Sequence, residues 1–197
     1  TRLVSDWSSD VCSSDLRRYI LFCGRLAAVK RPELLVQAFL QVASQRPAWD
    51  LLLVGAGPLQ QTLETFLPAD VTARIHFSGF VNDPVQIAAL YRTVDVLALP
   101  SDYEPWGVVV TEAAVCLALV CSDQVGAAAD LLQEGVNGRS FRAGEVNSLI
   151  AALLDVTADE NIDRMKAASP AVLAQWRRRS DPVAGLRAAL ASVGLSV

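Results

Sequence analysis

Short apolar strand patterns alternate with helix patterns along almost the whole chain, and this alternation restricts the possible folds more than any other feature. Gly, Pro, Ser or Asp residues end most of the apolar runs and precede the next helix. Strands joined by helices pair in parallel, because each helix returns the chain to the edge at which the previous strand began. We therefore predict an α/β fold with a doubly wound parallel sheet, whose strands cover residues 17–23, 50–54, 74–77, 94–99 and 118–122.

Apolar residues at helical spacing predict the elements that connect and follow these strands. Shorter helices are expected after Leu59 and after Gly107. The remaining predicted helices cover residues 32–45, 84–92, 146–156, 160–168, 171–179 and 182–195.

The composition is that of one globular domain. Of the 197 residues, 52% are hydrophobic and 19% are charged, which is enough apolar material to bury a sizeable core. The net charge of −4 disfavours a nucleic-acid or anionic-membrane surface. The longest apolar run, residues 113–121, is too short to cross a bilayer, so we expect no transmembrane segment. The cysteines lack metal-type spacing, and we expect reduced thiols in a cytoplasmic protein at Cys12, Cys23, Cys116 and Cys121.

Two carboxylates bracket the turn that follows the strand at residues 94–99. Glu104 precedes a helix that begins near Gly107, and Glu112 lies within that helix, eight positions further on. Glu112 is the only charged residue between Glu104 and Asp123, so its helix otherwise has the sequence of a buried one. Buried acids need partners, because burial removes their hydration. A polyol ligand would satisfy Glu112, and so would a backbone amide or an arginine of the protein itself.

The segment EPWG at residues 104–107, followed by Glu112, resembles the E-x7-E motif of retaining glycosyltransferases with the GT-B fold, in the large family 4 group. The Pro-Ser pair before it and Ala113 after it fit the same motif. The similarity extends from about Arg18 to the C-terminus and covers the donor-binding, Rossmann-like half of that two-domain fold. It also implies a final strand at residues 139–142, after the turn at residues 134–138. The resemblance implies that the full enzyme transfers a sugar from a nucleotide-diphosphate donor to an acceptor with retention, and that this chain lacks the acceptor domain.

The resemblance also implies roles for the residues of this motif. Glu112 is expected to hold the ribose hydroxyls. Glu104 is expected to bind hydroxyls of the donor sugar near the reacting carbon, where its charge favours an oxocarbenium-like transition state. Gly107, with Trp106 beside it, is expected to lie against the donor, where amides at the start of the helix face the sugar and the diphosphate. Both acids then bind the donor, so they do not form a hydrolase pair.

A second candidate site follows the first predicted strand. Arg25, Lys30 and Arg31 precede a helix that begins at Pro32, an arrangement that can bind an anion. In the resembled family a Gly-Arg-Leu…Lys segment contacts the donor diphosphate, so Arg25 and Lys30, with Gly24 beside them, are expected at the phosphates. The alternative is that these cations are only solvated at a helix start. The cations would take the place of a metal ion, and the chain has no Asp-x-Asp motif, so we expect neither a metal nor another cofactor.

Two further turns complete the expected donor site. Gly57 lies in a Gly-x-Gly-Pro-Leu turn, where small residues let the backbone approach a ligand; a dinucleotide fingerprint is the weaker interpretation, because the third glycine is missing. Phe80 and Val81 occupy the turn that holds the nucleobase in the resembled family. All of these groups follow the carboxyl ends of strands, so we expect them to converge at one edge of the sheet.

His76, the only histidine, alternates with apolar neighbours and is expected to be a satisfied core or edge side chain, not a catalyst. Leu117 and Leu119 stand where the resembled family has Gly and Pro, so a helix stop and a rigid turn are absent. In GT-B enzymes the last helix packs on the N-terminal domain. Its apolar face is therefore expected to be partly uncovered here, at Val183, Leu186 and Leu190.

Two alternatives to an active transferase remain at this point. A nucleotide-sugar epimerase shares the GT-B fold, although the chain lacks the histidine and acid set of that class. A binding module is the other: without an acceptor domain the isolated chain would bind the donor but be inactive. The expected partners are a nucleotide-sugar donor and the missing N-terminal acceptor domain. Polysaccharide biosynthesis, in the cytoplasm or at the inner membrane face, is the setting that the resemblance implies.

Residues 1–16 do not fit the pattern of the rest. They repeat Ser-Ser-Asp, have neither a helical nor a strand period, and lack the basic start and apolar middle of a signal peptide. They also resemble the translation of a sequencing adapter. We predict that residues 1–16 are a non-native or disordered segment and that the nucleotide-sugar-binding domain covers residues 17–197. Resequencing of the source DNA across the Leu16 codon tests this, and an uninterrupted native frame would contradict it.

Overall fold

The computed structural model describes residues 17–194 as a six-stranded, all-parallel sheet with flanking helices. This confirms the predicted Rossmann-like α/β class. The strands are β1 (Arg18–Cys23), β2 (Trp49–Val54), β3 (Ile75–Gly79), β4 (Val96–Leu99), β5 (Ala118–Ser122) and β6 (Gly138–Phe141). The helices are α1 (Pro32–Val42), α2 (Gln60–Thr65), α3 (Pro84–Thr93), α4 (Val108–Ala113), α5 (Gly126–Leu131), α6 (Val146–Val156), α7 (Asp159–Arg179) and α8 (Pro182–Ser192).

The strand order, β3-β2-β1-β4-β5-β6, places a topological switch between β1 and β4. From β1 the chain runs outward through β2 to β3, and it then returns to β4 on the other side of β1. β1 pairs in parallel with both neighbours, and Leu21 lies opposite Leu52 and Leu97. The connections that leave β1 and β4 run to opposite faces of such a sheet. They open a crevice at the carboxyl ends of these two strands, which is where open α/β sheets bind ligands.

The inner strands are buried on both faces, which explains their continuous apolar sequences. Every residue of β2, β4 and β5 is buried. Phe22 of β1 and Phe39 of α1 are among the largest fully buried side chains. Burial of a large apolar side chain contributes roughly 1.5–3 kcal/mol. The core therefore fixes the positions at which the loops leave the carboxyl edge of the sheet.

α7 is one continuous helix, whereas two helices at residues 160–168 and 171–179 were expected. Pro170 lies inside it and cannot donate a backbone hydrogen bond. Burial of Met165 and Leu173, one on each side of the proline, holds the two halves in line. Ser169 is also buried, and its hydroxyl donates to the carbonyl of Leu117 at 2.5 Å. Tertiary packing therefore outweighs the local cost of the proline.

The helix that carries Glu112 ends without the glycine that the resembled family has at this point. α4 ends at Ala113, and the amide of Leu117 donates to the Ala113 carbonyl at 2.8 Å. Leu117 is fully buried, and the next residue, Ala118, begins β5, which pairs with β4. Burial of Leu117 and strand pairing together stop the helix.

α8 has no buried residue, and its apolar side chains are open to solvent, with Val183 57% and Leu186 61% exposed. This confirms the expectation of an uncovered apolar face. The helix ends at Ser192, whereas the sequence predicted residue 195, which lies outside the described residues together with residues 1–16. Within residues 17–194, no helix combines the length and the hydropathy needed to cross a bilayer.

A charged cluster ties together the amino ends of three strands, at the edge opposite the switch crevice. The Asp50 carboxylate is 3% exposed and accepts hydrogen bonds from Arg17 Nη2 at 2.5 Å and Arg17 Nε at 2.8 Å. His76 Nε2 lies 3.1 Å and Arg74 Nε 3.4 Å from the same carboxylate. The contact confirms that His76 is a satisfied side chain. Burial by itself raises the pKa of Asp50, but hydrogen bonds from His76 and Arg17 outweigh it and lower the pKa below its ordinary value.

Because the pKa of Asp50 is lower in the folded protein, the free energy of unfolding decreases at acidic pH. The unfolded carboxyl has a pKa of about 3.9, so the contribution of Asp50 is complete above that pH and is lost as the pH falls through the lower folded value. Asp50→Asn leaves the surrounding cations without a counter-ion, and we expect it to lower the free energy of unfolding by about 3 kcal/mol at pH 7. Urea unfolding between pH 2.5 and 7 measures both effects.

The control variant for this experiment is Asp163→Asn, since the Asp163 side chain is 72% exposed in its pair with Arg18. This substitution should lower the free energy of unfolding by less than about 1 kcal/mol. An Asp50→Asn protein as stable as wild type, with the same loss of stability in acid, would contradict the account.

Candidate functional site at the carboxyl edge of the sheet

The loop between β4 and α4 carries the two-acid motif, and backbone hydrogen bonds hold it against the loop that follows β5. The amide of Glu104 donates to Gln124 at 3.1 Å, and its carbonyl accepts from Gly126 at 2.9 Å. The carbonyl of Trp106 accepts from Ala127 at 2.7 Å. Because both sides of Glu104 are tied, the backbone that carries its side chain has a fixed position.

Glycine is required at two points of this loop pair. Gly107 has a φ of 89°, in the left-handed region, and lies directly before α4. A Cβ atom on Gly126 would lie 2.1 Å from the carbonyl oxygen of Pro105, so any larger residue would push the two loops apart. The sequence analysis attributed Gly107 to contact with the donor. The structure adds a second reason for glycine here, because the positive φ strongly disfavours a residue with a side chain.

The turn between β1 and α1 packs against the motif loop. Its last residue, Arg31, has φ 52° and ψ 42°, and among residues 17–194 it is the only one other than glycine with a positive φ. The carbonyl of Val29 accepts from the amide of Asp102 at 2.9 Å. The guanidinium of Arg31 lies 3.6 Å from the Asp102 carboxylate. These contacts join the loops that leave β1 and β4, on the two sides of the topological switch.

Lys30 and Glu104 form an ion pair with each other. The sequence analysis had assigned Lys30 to the diphosphate of the donor and Glu104 to its sugar. The Lys30 ammonium donates to Oε2 of Glu104. The two side chains are only 23% and 15% exposed. Burial lowers the pKa of the Lys30 ammonium. A partly desolvated ammonium interacts more strongly with an anion than a fully hydrated one, and in the free protein the Glu104 carboxylate is that anion.

Arg25 lies nearby in the chain but is arranged differently. It is exposed, and within the described part of the chain it forms no ion pair. Its neighbour Gly24 is half-buried, and a Cβ atom on Gly55 would lie 1.9 Å from the Gly24 carbonyl oxygen. A Cβ atom on Gly57 would lie 2.3 Å from the carbonyl oxygen of Leu26. The small residues therefore let two protein loops approach each other, whereas the sequence attributed Gly57 to the approach of a ligand.

A cleft of about 540 Å³ opens beside these loops and contains Glu112. Val81, expected at the nucleobase, lines the same cleft, while Phe80 is 74% exposed and does not line it. Although the rest of its helix has the sequence of a buried one, Glu112 is exposed, because its side of the short helix α4 faces the cleft. The other lining residues are Cys23, Asn82, Pro84, Ile87, Ala88, Tyr91, Arg92, Val115 and Cys116.

Glu112 has a protein partner that the sequence analysis missed. The hydroxyl of Tyr91, on α3, donates to Oε2 of Glu112 at 2.9 Å. Tyr91 is 6% exposed, and burial raises the pKa of its hydroxyl far above the ordinary value, with Cys23 and Glu112 adding to the effect. The phenol therefore stays protonated and acts as a donor. Its position as the only aromatic residue of the predicted helix at residues 84–92 was the available signal.

The Trp106 side chain makes its contacts within the protein. Its ring packs against Trp176 of α7, with the ring centroids 5.6 Å apart. Its indole nitrogen donates to the hydroxyl of Thr111 at 3.3 Å. These contacts fix the turn before α4, whereas the sequence placed Trp106 against the ligand.

Comparison with known families agrees with this geometry. Residues 9–171 match the family described as Glycosyl transferases group 1. The chain belongs to this family. An uncharacterized glycosyltransferase of Methanocaldococcus jannaschii is 34% identical over 125 residues, which make up 63% of this chain and 32% of that protein. The chain thus spans about a third of that relative's length, and the family match favours a group 1 glycosyltransferase over the nucleotide-sugar epimerase.

Solved structures of glycosyltransferases share the fold of this group 1 chain. The C-terminal domain of a group 1 glycosyl transferase from Francisella tularensis superimposes with a TM-score of 0.70 at 19% identity, covering 80% of this chain and 85% of that domain. HepE of Anabaena, in complex with UDP and glucose, gives a TM-score of 0.68 at 24% identity and covers 91% of this chain and 53% of HepE. The fold of the described residues is therefore the C-terminal half of a GT-B glycosyltransferase.

Proposed function

We propose that this chain binds the sugar donor, a nucleoside-diphosphate sugar, for a group 1 glycosyltransferase. The observation that carries the proposal is the arrangement at the carboxyl edge of the sheet. A cation–carboxylate pair, Lys30 with Glu104, lies at the topological switch, and the next helix carries Glu112 into an adjoining cleft. A nucleoside-diphosphate sugar has a flat aromatic base, a ribose with free hydroxyls and an anionic diphosphate in series, and this edge offers matching groups for each part.

The cleft supplies the nucleoside part of the site. The carboxylate of Glu112 accepts hydrogen bonds, as the ribose hydroxyls require. Val81 and the largely apolar wall of the cleft favour a flat base over a charged group. Phe80, exposed at the preceding position, would border the base from outside. A cavity of this volume is in the ordinary range for a small-molecule ligand.

The cations supply the diphosphate part. Lys30 and Arg25 would neutralise the charge that develops on the leaving diphosphate, and Arg25 is exposed and available for this contact. In this proposal the cations do the work of a metal ion, so the transfer is metal-independent. Glu104 then binds the donor sugar beside the reacting carbon and stabilises positive charge there, in a transfer with retention of configuration.

Calorimetric titration with UDP, GDP and ADP, in the presence of EDTA, tests the proposed function. At least one nucleotide is expected to bind. Glu112→Ala should weaken that nucleotide roughly ten- to a hundredfold, because it removes hydrogen bonds to a charged acceptor. Glu160→Ala, an exposed acid at the start of α7, is the matched control and should bind as wild type does. A folded chain that binds none of the three, or one that binds equally well without Glu112, would contradict the proposal.

The Lys30–Glu104 pair predicts an unusual response to a mutation. The diphosphate has to compete with Glu104 for Lys30, and the Glu104 carboxylate also repels the anion. Glu104→Gln should therefore tighten binding of the nucleoside diphosphate relative to the monophosphate. We expect a factor of roughly three to ten, because both side chains of the pair are partly exposed and solvent weakens their electrostatic interaction with the phosphates.

Calorimetric titrations with UDP and UMP measure the ratio of the affinities for the diphosphate and the monophosphate. If guanine or adenine is the base that binds, GDP and GMP or ADP and AMP take their place. Glu134→Gln removes an equal charge at β6, far along the sheet order, and should leave the ratio unchanged. An unchanged or smaller ratio in Glu104→Gln would show that Lys30 does not contact the diphosphate.

A further inference from the structure

The cleft contains a contact that the donor-site assignment does not explain. Glu112 faces the cleft, yet one of its two carboxylate oxygens, Oε2, is occupied by the hydroxyl of Tyr91 at 2.9 Å. Within residues 17–194, the second oxygen accepts no hydrogen bond. The carboxylate is therefore divided between a protein donor on one side and the open cleft on the other.

Tyr91 is itself held firmly. Its side chain is almost fully buried between α3 and the sheet, and the thiol of Cys116 donates to its backbone carbonyl at 3.2 Å. The Cys23 thiol, at the end of β1, is close enough to add to the raised pKa of the same hydroxyl. Both cysteines line the cleft. The hydroxyl thus has a position set by the core, whereas α4, which carries Glu112, is only six residues long.

Glu112 by itself is poorly restrained. It is exposed, on a short helix, and a glutamate side chain has several rotamers of similar energy. A hydrogen bond from a buried, protonated phenol removes most of that freedom before the ligand arrives. Pre-ordering of this kind raises affinity, because the ligand no longer has to order the side chain.

We propose that Tyr91 is the positioning residue for Glu112: it holds one carboxylate oxygen so that the other faces the ribose hydroxyls, and it thereby sets the preference for ribonucleotides over nucleotides without those hydroxyls. This inference rests on the proposed function, in which Glu112 binds ribose. It adds a residue outside the motif and assigns it a role in selectivity, not in general affinity.

The experiment measures a ratio of affinities in wild type, Tyr91→Phe and Glu112→Gln. Each protein is titrated with UDP and 2′,3′-dideoxy-UDP, or with the matching guanine or adenine pair if that base binds. Wild type should prefer the ribonucleotide roughly tenfold or more, and Glu112→Gln should lose most of that preference. Tyr91→Phe should reduce the preference at least about threefold and leave the affinity for the dideoxynucleotide within about twofold of wild type.

Two further variants keep the test sharp. Tyr19→Phe deletes a phenol hydroxyl near the opposite end of β1 and should retain the full preference. Tyr91→Met, whose flexible side chain can fill the buried space, is a second hydroxyl-free variant in case Tyr91→Phe does not fold. Circular dichroism establishes folding for each variant.

The outcomes separate the inference from the function beneath it. If wild type binds no nucleoside diphosphate, the proposed function is wrong and the inference falls with it. If wild type binds and Glu112→Gln loses the preference, but the hydroxyl-free variants keep it, only the inference is wrong. Equal weakening of both nucleotides in those variants would likewise overturn it, because Tyr91 would then act through stability alone.

Discussion

The ion pair between Lys30 and Glu104 is the contact on which the proposed site depends. Its two residues lie on the loops that leave β1 and β4, the strands that flank the topological switch. Three features hold these two loops in place: the left-handed backbone at Arg31, the bond between Val29 and Asp102, and the hydrogen bonds that fix the backbone of Glu104. The free protein therefore contains a cation already matched by an internal anion, in a place where an anionic ligand would exchange with it.

The proposed nucleoside side of the site is built on a different principle. There the core sets the geometry, because Tyr91 is buried, its hydroxyl donates to Glu112 and its carbonyl accepts from Cys116. The apolar wall of the cleft and the single carboxylate suit a base and a ribose. The edge thus combines two parts. In one, the Lys30–Glu104 ion pair can open to admit an anionic ligand, and in the other the Tyr91 hydroxyl orders the Glu112 carboxylate before the ligand binds.

Much of this could be predicted from the sequence, and the exceptions have physical causes. Apolar runs located the inner strands β1, β2, β4 and β5 to within a few residues, because strands buried on both faces need no alternation. The edge strands β3 and β6 are only partly buried and contain polar residues. The two-acid motif located the candidate site. The prediction that the helix breaks near Pro170 was wrong, because packing of Met165 and Leu173 outweighs the missing hydrogen bond. The exposure of Glu112, the close approach of Gly57 to Leu26 and the bond from Tyr91 all depend on contacts between distant segments, which no local pattern encodes.

A crystal structure of the chain with its tightest-binding nucleoside diphosphate is the most direct test of this account. We expect a phosphate oxygen about 3 Å from the Lys30 ammonium, with Glu104 released from that contact and the free oxygen of Glu112 on a ribose hydroxyl. A nucleotide bound outside the switch crevice, or one bound in the cleft while the Lys30–Glu104 pair remains closed and remote from the phosphates, would contradict it.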